Sequence, residues 1–269
     1  RSMKAKTAVF SLAAVLCLLT AGSAWAKVIY VDDDAPTGGD GTSWTTAYRF
    51  LQDALTDAKA AGEVCVAQGT YRPDQGAGVE LGDGKATFHL LSGVIIRGGY
   101  GGLGQPNPDA WDPNLYETVL YGDLNGDDDF QNEMTLHDNS GHVVTSEGVD
   151  ETAVMEGLTI THGAYFGPML RGGGEDSFVG GGGFYNKSGS PQIRRCRFVQ
   201  NYVGLGYGAA VFNRASIAAR YEECVFEDNY GPAIANRRSH CAARGCRFSG
   251  RLSTGISQME STSDISGCS

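Results

Sequence analysis

The stretch PQIRRCRFVQN (191–201), followed by ARYEECVFEDN (219–229) and AARGCRFSGR (242–251), states one pattern three times. It sets Cys196, Cys224 and Cys246 in one column and Phe198, Phe226 and Phe248 in another, at intervals of 28 and 22 residues. Self-similarity at such a period marks a solenoid, in which a short unit buries its apolar side only against its neighbours. In each Cys-x-Phe the two side chains share a strand face, while Arg197, Val225 and Arg247 point the other way. The pattern reads as a pile of short parallel strands.

Working outward, GLTITHG (157–163) fits the frame with Leu158 in the Cys place and Ile160 in the Phe place, and GVIIRGG (93–99) fits with Val94 and Ile96. Cys268 follows Cys246 by 22 residues. A second inward column precedes the first: Met155, Ile193, Tyr221, Ala243 and Ile265. Beside it Glu156, Arg194, Glu222 and Arg244 alternate in sign, which places opposite charges one strand spacing, roughly 4.8 Å, apart. Such pairs contribute only about 0.2–1 kcal/mol each, enough to favour register rather than to supply stability.

The phrases GGGF (181–184), GAAV (208–211) and GPAI (231–234) alternate with FVQN (198–201) and FEDN (226–229). They resemble the GGAI and FxxN signatures of the polymorphic outer membrane protein repeats. The opening IYVDDDAPTGGDGTSWTTAYRFLQDAL (29–55), with VAQGTY (66–71), resembles the entry segment of secreted parallel β-helix proteins of pectate-lyase-like architecture. The resemblance implies an all-β fold, a right-handed parallel β-helix with an N-terminal capping α-helix. It leaves activity open, because that architecture carries polysaccharide lyases, hydrolases, adhesins and inert stalks. Asn201 and Asn229 are expected to take left-handed backbone angles at a corner and to bond to their counterparts above, with Gly163 playing the part without a side chain. The last full repeat departs from the signature, since Phe248-Ser249-Gly250-Arg251 lacks the asparagine.

Residues 3–26 carry two lysines, an apolar run from Ala8 to Leu19 and Ala24-Trp25-Ala26, the marks of a secretory signal peptide. The division expected is 1–26 signal peptide, 27–62 strand and capping helix, and 63–269 parallel β-helix, which stops within a repeat at Ser269 and reads as truncated. Removing the leader takes away Arg1, Lys4 and Lys6 and no acid, so the formal charge of −10 becomes −13. That disfavours nucleic acid and anionic membranes as partners; no transmembrane segment is expected after the leader. From Ser43 to Ala61, Trp44, Ala47, Leu51, Ala54, Leu55 and Ala58 recur at three and four, which predicts one amphipathic helix stopped by Gly62 and laid over the raw end of the coil, with Trp44 and Phe50 as core plugs. Of the six cysteines after the leader, those in the ladder point the same way from adjacent strands, a poor geometry for disulfides; Cys241 with a neighbour stays open.

Chemistry-bearing residues are sparse. The histidines His89, His137, His142, His162 and His240 form no HxxxH or HxH pair, and there is no GxSxG or GxxxxGK[ST]. GLGYGA (204–209) imitates a dinucleotide glycine pattern without the helix that should follow. In DLNGDDDFQNE, Asp123, Asn125, Asp127 and Asp129 stand at positions one, three, five and seven of a possible calcium loop, although Met134 occupies the twelfth, where a bidentate Glu belongs. Arg197, Asp228 and Arg247 are the candidates for a uronate-binding or catalytic face, since a lyase needs a basic group beside carboxylates. The expected function is a non-catalytic extracellular or cell-surface module, adhesin-like or scaffold, displaying loops 101–116 and 166–180 to an extracellular polysaccharide or surface protein. The alternative is a polysaccharide-acting enzyme, a uronate lyase or glycoside hydrolase.

Overall fold

The computed structural model describes residues 27–58, 62–167, 180–204, 206–250 and 253–269. The expected signal peptide, most of loop 166–180 and the last three residues of the expected helix lie outside them. The chain is a parallel β-helix with three faces. The first sheet has eight strands, from Lys27–Val31, Gly62–Ala67 and Val94–Tyr100 through Val154–Glu156, Gln192–Arg194, Ala219–Glu222 and His240–Arg244 to Thr262–Ser266. The second runs from Gly69–Tyr71 and Thr118–Tyr121 through Thr159–Thr161, Arg197–Val199 and Val225–Glu227 to Arg247–Ser249. The third runs from Phe88–His89 and Val144–Glu147 through Phe184–Lys187, Val211–Arg214 and Gly231–Arg237 to Ser253–Met259.

Registry follows the columns. Phe198 pairs with Ile160 and Phe226, and Phe226 with Phe248; the three rings stack 5.1 and 5.0 Å apart, 6° from parallel. Met155, Ile193, Tyr221, Ala243 and Ile265 pair in turn. GVIIRGG stands differently from expectation: Ile96 pairs with Met155, so this segment belongs to the first sheet. The Phe column continues upward through Leu120, then Tyr71. Two short apolar strands of one turn look alike in sequence, which is why the frame slipped. The alternating charges extend to Arg97, which bonds Glu156 at 3.0 Å, and Arg194 meets Glu222 at 3.5 Å.

Each turn bends at three corners, and the nine non-glycine residues with positive φ among the described residues stand there: Arg195 and Glu223 at the first, His162, Gln200 and Asp228 at the second, Ser188, Ala215, Arg238 and Glu260 at the third. A left-handed residue bends the chain sharply from one face to the next, at a cost of about 1–2 kcal/mol for a side chain with Cβ. Asn201 and Asn229 are not among them. The bend falls one residue earlier, at Gln200 and Asp228, because the carboxamides must point inward to bridge turns. Asn201 N–H and Nδ2 both donate to Asn229 Oδ1, at 3.0 and 3.1 Å, and both asparagines are fully buried. Exposed Ala215, at φ 52°, has no such duty. Ala215→Gly should therefore raise stability by about 0.5–1 kcal/mol, read as a higher urea midpoint; a lower midpoint would contradict a strained corner.

Inside the third sheet a second asparagine ladder appears. Asn186 Nδ2 donates to Asn213 Oδ1 at 2.9 Å and Asn213 Nδ2 to Asn236 Oδ1 at 2.8 Å. Ser216 N–H and Ser239 N–H donate to the hydroxyls one turn below, of Ser239 and Ser261. The six cysteines of the described residues are free thiols, and Cys224 and Cys246 each donate to a carbonyl one turn up, those of Ile193 and Tyr221. Cys241 accepts from Asn236 Nδ2 at 3.2 Å.

The cap is not one helix. A single 3₁₀ turn, Trp44–Thr46, gives way at extended Ala47, and α1 spans only Leu51–Asp57. Tyr48 breaks the helix by adding to the edge of the first strand: its N–H donates to Tyr30 O and its carbonyl accepts from Asp32 N–H, both at 2.9 Å. Leu51, Ala54, Leu55 and Ala58 plug the core. Trp44 instead packs outside the barrel with Cys65 and Ala67, and Phe50 stays half-buried. No helix of the described residues is long and apolar enough to cross a membrane.

Candidate functional site

The outer face of the second sheet carries Thr159, Arg197, Val225 and Arg247 in register. Alternation sends Glu227 outward beside them, and the guanidinium of Arg197 lies between Glu117 Oε1 at 3.5 Å and Glu227 Oε2 at 3.3 Å. Thr159 Oγ1 donates to Glu117 at 2.8 Å. Asp228 does not join Arg197 and Arg247 as expected. It sits past the strand end at the second corner, φ 50°, with its N–H donating to Ser249 O, and so stands outside the strands that carry the two arginines. A cleft of about 230 Å³ opens beside Arg197, walled by Pro113, Asn114, Arg195 and Glu223.

The acidic loop leaves the second corner. Its carboxylates converge in a set other than the one expected: Asp123, Asp127 and Asp128 bring one oxygen each within 4.8 Å of one another. Asp129 instead accepts Gln131 N–H on its carboxylate and donates its own backbone N–H to Thr135 Oγ1, both at 2.9 Å, and Asn125 bonds Asp138. The one-three-five-seven spacing fails because Gly126, at φ 81°, tightens the loop one step early while Asp123 Oδ1 accepts its N–H. Asp128 is pushed up to about 7, chiefly by burial, with the charges of Asp123, Asp127 and Asp138 adding to it and the Asn139 hydrogen bond opposing. Asn139, 3% exposed, donates to Asp128 Oδ2 and to His162 O at 2.9 Å, while its own Oδ1 and Asp128 Oδ1 lack partners. Crowded hard oxygens with unmet acceptors suit calcium, which would neutralise Asp128 where burial disfavours its charge. Millimolar calcium should raise the melting temperature, and Asp128→Asn should abolish the rise; an unchanged melt in the parent protein would discard the site.

Above this loop runs an aromatic ridge that the repeat reading missed. Tyr121 meets His162 at 4.7 Å, His162 meets Phe130 at 5.3 Å, and Phe130 stacks on Tyr230 at 4.8 Å. Tyr230 meets Tyr202 at 5.9 Å, Tyr202 meets Phe166 at 5.2 Å, and His137 closes the run on Phe166 at 3.9 Å. Every ring keeps part of its surface in solvent. The signal was present: a tyrosine follows each FxxN, at positions 202 and 230. The Tyr202 hydroxyl donates to Glu133 at 2.9 Å, and burial with that carboxylate pushes it up to about 12. Burial lowers His162 from its ordinary value, with the charge of Asp123 opposing. Further round, His142 lies between Tyr165 and Tyr185, 4.8 and 5.1 Å away, and burial lowers it to about 4. Its Nδ1 is 2.9 Å from Gly181 O, which assigns the proton to that nitrogen.

At the capped end the ridge meets a cavity of about 450 Å³ walled by Asp33, Asp34, Arg49, Thr70, Arg72 and Gln75. Arg72 joins the two, with its guanidinium 5.2 Å from the Tyr121 ring centroid and Nε donating to Asp123 O. Burial raises both Asp32 and Asp33 from their ordinary values.

No family model matches this sequence, and no curated protein does. Among solved structures, pectin methylesterase PemA from Erwinia chrysanthemi aligns with 82% of this chain and 54% of its own, at TM-score 0.43 and 12% identity. The chain thus spans about half the length of that protein.

Proposed function

We propose that this chain is a non-catalytic extracellular β-helix module that holds a polysaccharide strand along the second corner. The observation that carries the reading is the ridge itself: seven rings from Tyr121 to His137 in continuous contact, each partly open to solvent. A sugar ring presents a face of C–H groups whose positive edge charge suits the negative face of an aromatic ring, so a row of rings accepts a row of sugars. Arg72 and the cavity it borders extend the track with hydrogen-bonding groups for hydroxyls. Export by the leader at 1–26 would deliver the module to such a partner.

Retardation in gels that contain single neutral polysaccharides tests this. The doubly substituted Tyr202→Ala, Tyr230→Ala protein should bind at least tenfold more weakly, equivalent to about 1.4 kcal/mol, with an unchanged melting temperature. Equal retardation of both proteins would sink the ridge. The competing enzymatic reading draws on Arg197 between Glu117 and Glu227; release of unsaturated ends or new reducing ends from uronate polymers with calcium would overturn the non-catalytic one.

A further inference from the structure

The outer face of the third sheet breaks a rule that the first sheet keeps. In the first, Arg97, Glu156, Arg194, Glu222 and Arg244 alternate in sign through five paired strands. In the third, the corresponding column reads Glu147, Lys187, Arg214, Arg237, Met259. After the Lys187–Glu147 pair, cations follow one another on successive strands. Like charges directly opposite one another destabilise a sheet, and this is an acidic chain of net charge −10. Arg238 adds a further cation at the adjoining corner, where it pairs with Glu260 at 2.9 Å. A crevice of about 140 Å³ opens between these side chains, lined by Lys187, Ser188, Arg214, Ala215, Arg237 and Arg238. Small, exposed Ser188 and Ala215 form part of its wall.

We infer that this crevice is a site for the tetrahedral oxyanion ester, sulfate or phosphate, of a substituted polysaccharide. Cations from three successive turns, roughly 4.8 Å apart, surround one small space. A carboxylate offers two oxygens in a plane and is satisfied by one guanidinium fork, whereas an ester oxyanion splays three terminal oxygens toward three donors. The arginines keep contacts within the chain; each guanidinium has five N–H donors, so an incoming oxyanion shares rather than displaces them. The column runs along the helix axis, the direction in which a strand lying on the module repeats its substituents. The inference rests on the reading of the chain as a polysaccharide-binding module and adds to it a preference for substituted chains.

The test compares dextran, carboxymethyl dextran, dextran sulfate and phosphorylated dextran of equal length and charge density, by interferometry on the whole protein. Dextran sulfate or phosphorylated dextran should bind at least tenfold more tightly than the carboxymethyl form, and whichever binds better identifies the source of the oxyanion. Arg214→Gln and Arg237→Gln should each remove most of that margin, while Arg220→Gln, an equal charge change on the exposed face of the first sheet, should not. Equal binding of carboxymethyl and sulfate forms, or equal loss in Arg220→Gln, would overturn the site. The Tyr202→Ala, Tyr230→Ala protein separates the two readings: if it loses dextran but keeps the sulfate margin, ridge and crevice are both upheld. Parent protein that ignores dextran yet keeps the margin sinks the ridge alone.

Discussion

Asn213→Ala should lower the unfolding free energy by about 4 kcal/mol, among the largest losses any single polar substitution in this chain can cause. Asn213 is fully buried, and its Oδ1 accepts from Asn186 Nδ2 and from the Tyr221 hydroxyl at 2.8 Å while its Nδ2 donates to Asn236 Oδ1. Truncation strands the Tyr221 hydroxyl and Asn236 Oδ1 inside the barrel and removes one of the two partners of Asn186 Nδ2, which keeps Gly189 O at 3.2 Å. Each orphaned group costs about 1–3 kcal/mol, and the cavity adds to it. Equilibrium urea unfolding followed by far-ultraviolet circular dichroism gives the number. A loss under about 1 kcal/mol would mean that water replaces the side chain and that the ladder is not dry.

Phe226→Ala should cost about 3–5 kcal/mol by the same measurement. The ring is sandwiched between Phe198 and Phe248 and touches Tyr221 edge-on at 6.4 Å. Its removal opens the core at the point where three turns meet, and neighbours held in strand register on both sides have little freedom to collapse into the gap. Phe226→Leu, which fills most of the volume, should recover more than half of the loss. If alanine and leucine behaved alike, the stack would owe its stability to something other than filled space.

The fold was legible because its two inward columns repeat along the chain, and Cys and Phe recurring together at intervals of 28 and 22 residues fit a stacked coil and little else. The corners were harder to see. A left-handed position tolerates Arg195, Gln200, Ala215 and Glu223 alike, since what fixes it is the inward residue that follows, so no residue type marks the bend. The ladder of Asn186, Asn213 and Asn236 was visible as three asparagines at intervals of 27 and 23 residues, yet a single buried Asn in a strand reads as a turn residue until its partners are known. The candidate site was less legible still. Asp228 and Asp129 were chosen by spacing along the chain, whereas corners and the Gly126 turn rotate side chains by amounts that spacing does not record. Phe130 and Tyr230 are a hundred residues apart and meet only because an inserted loop folds back over the wall.

The gathering of the described non-glycine left-handed residues at three vertical seams has an evolutionary corollary. Between seams the walls are nearly interchangeable, so deleting or duplicating one complete circuit, about the 23 to 28 residues that separate equivalent asparagines, leaves the circuits on either side with the same neighbours to meet. Lineages can thus lengthen or shorten the column in whole steps, and a track of rings or cations on its exterior grows by the same increment as the glycan it would follow.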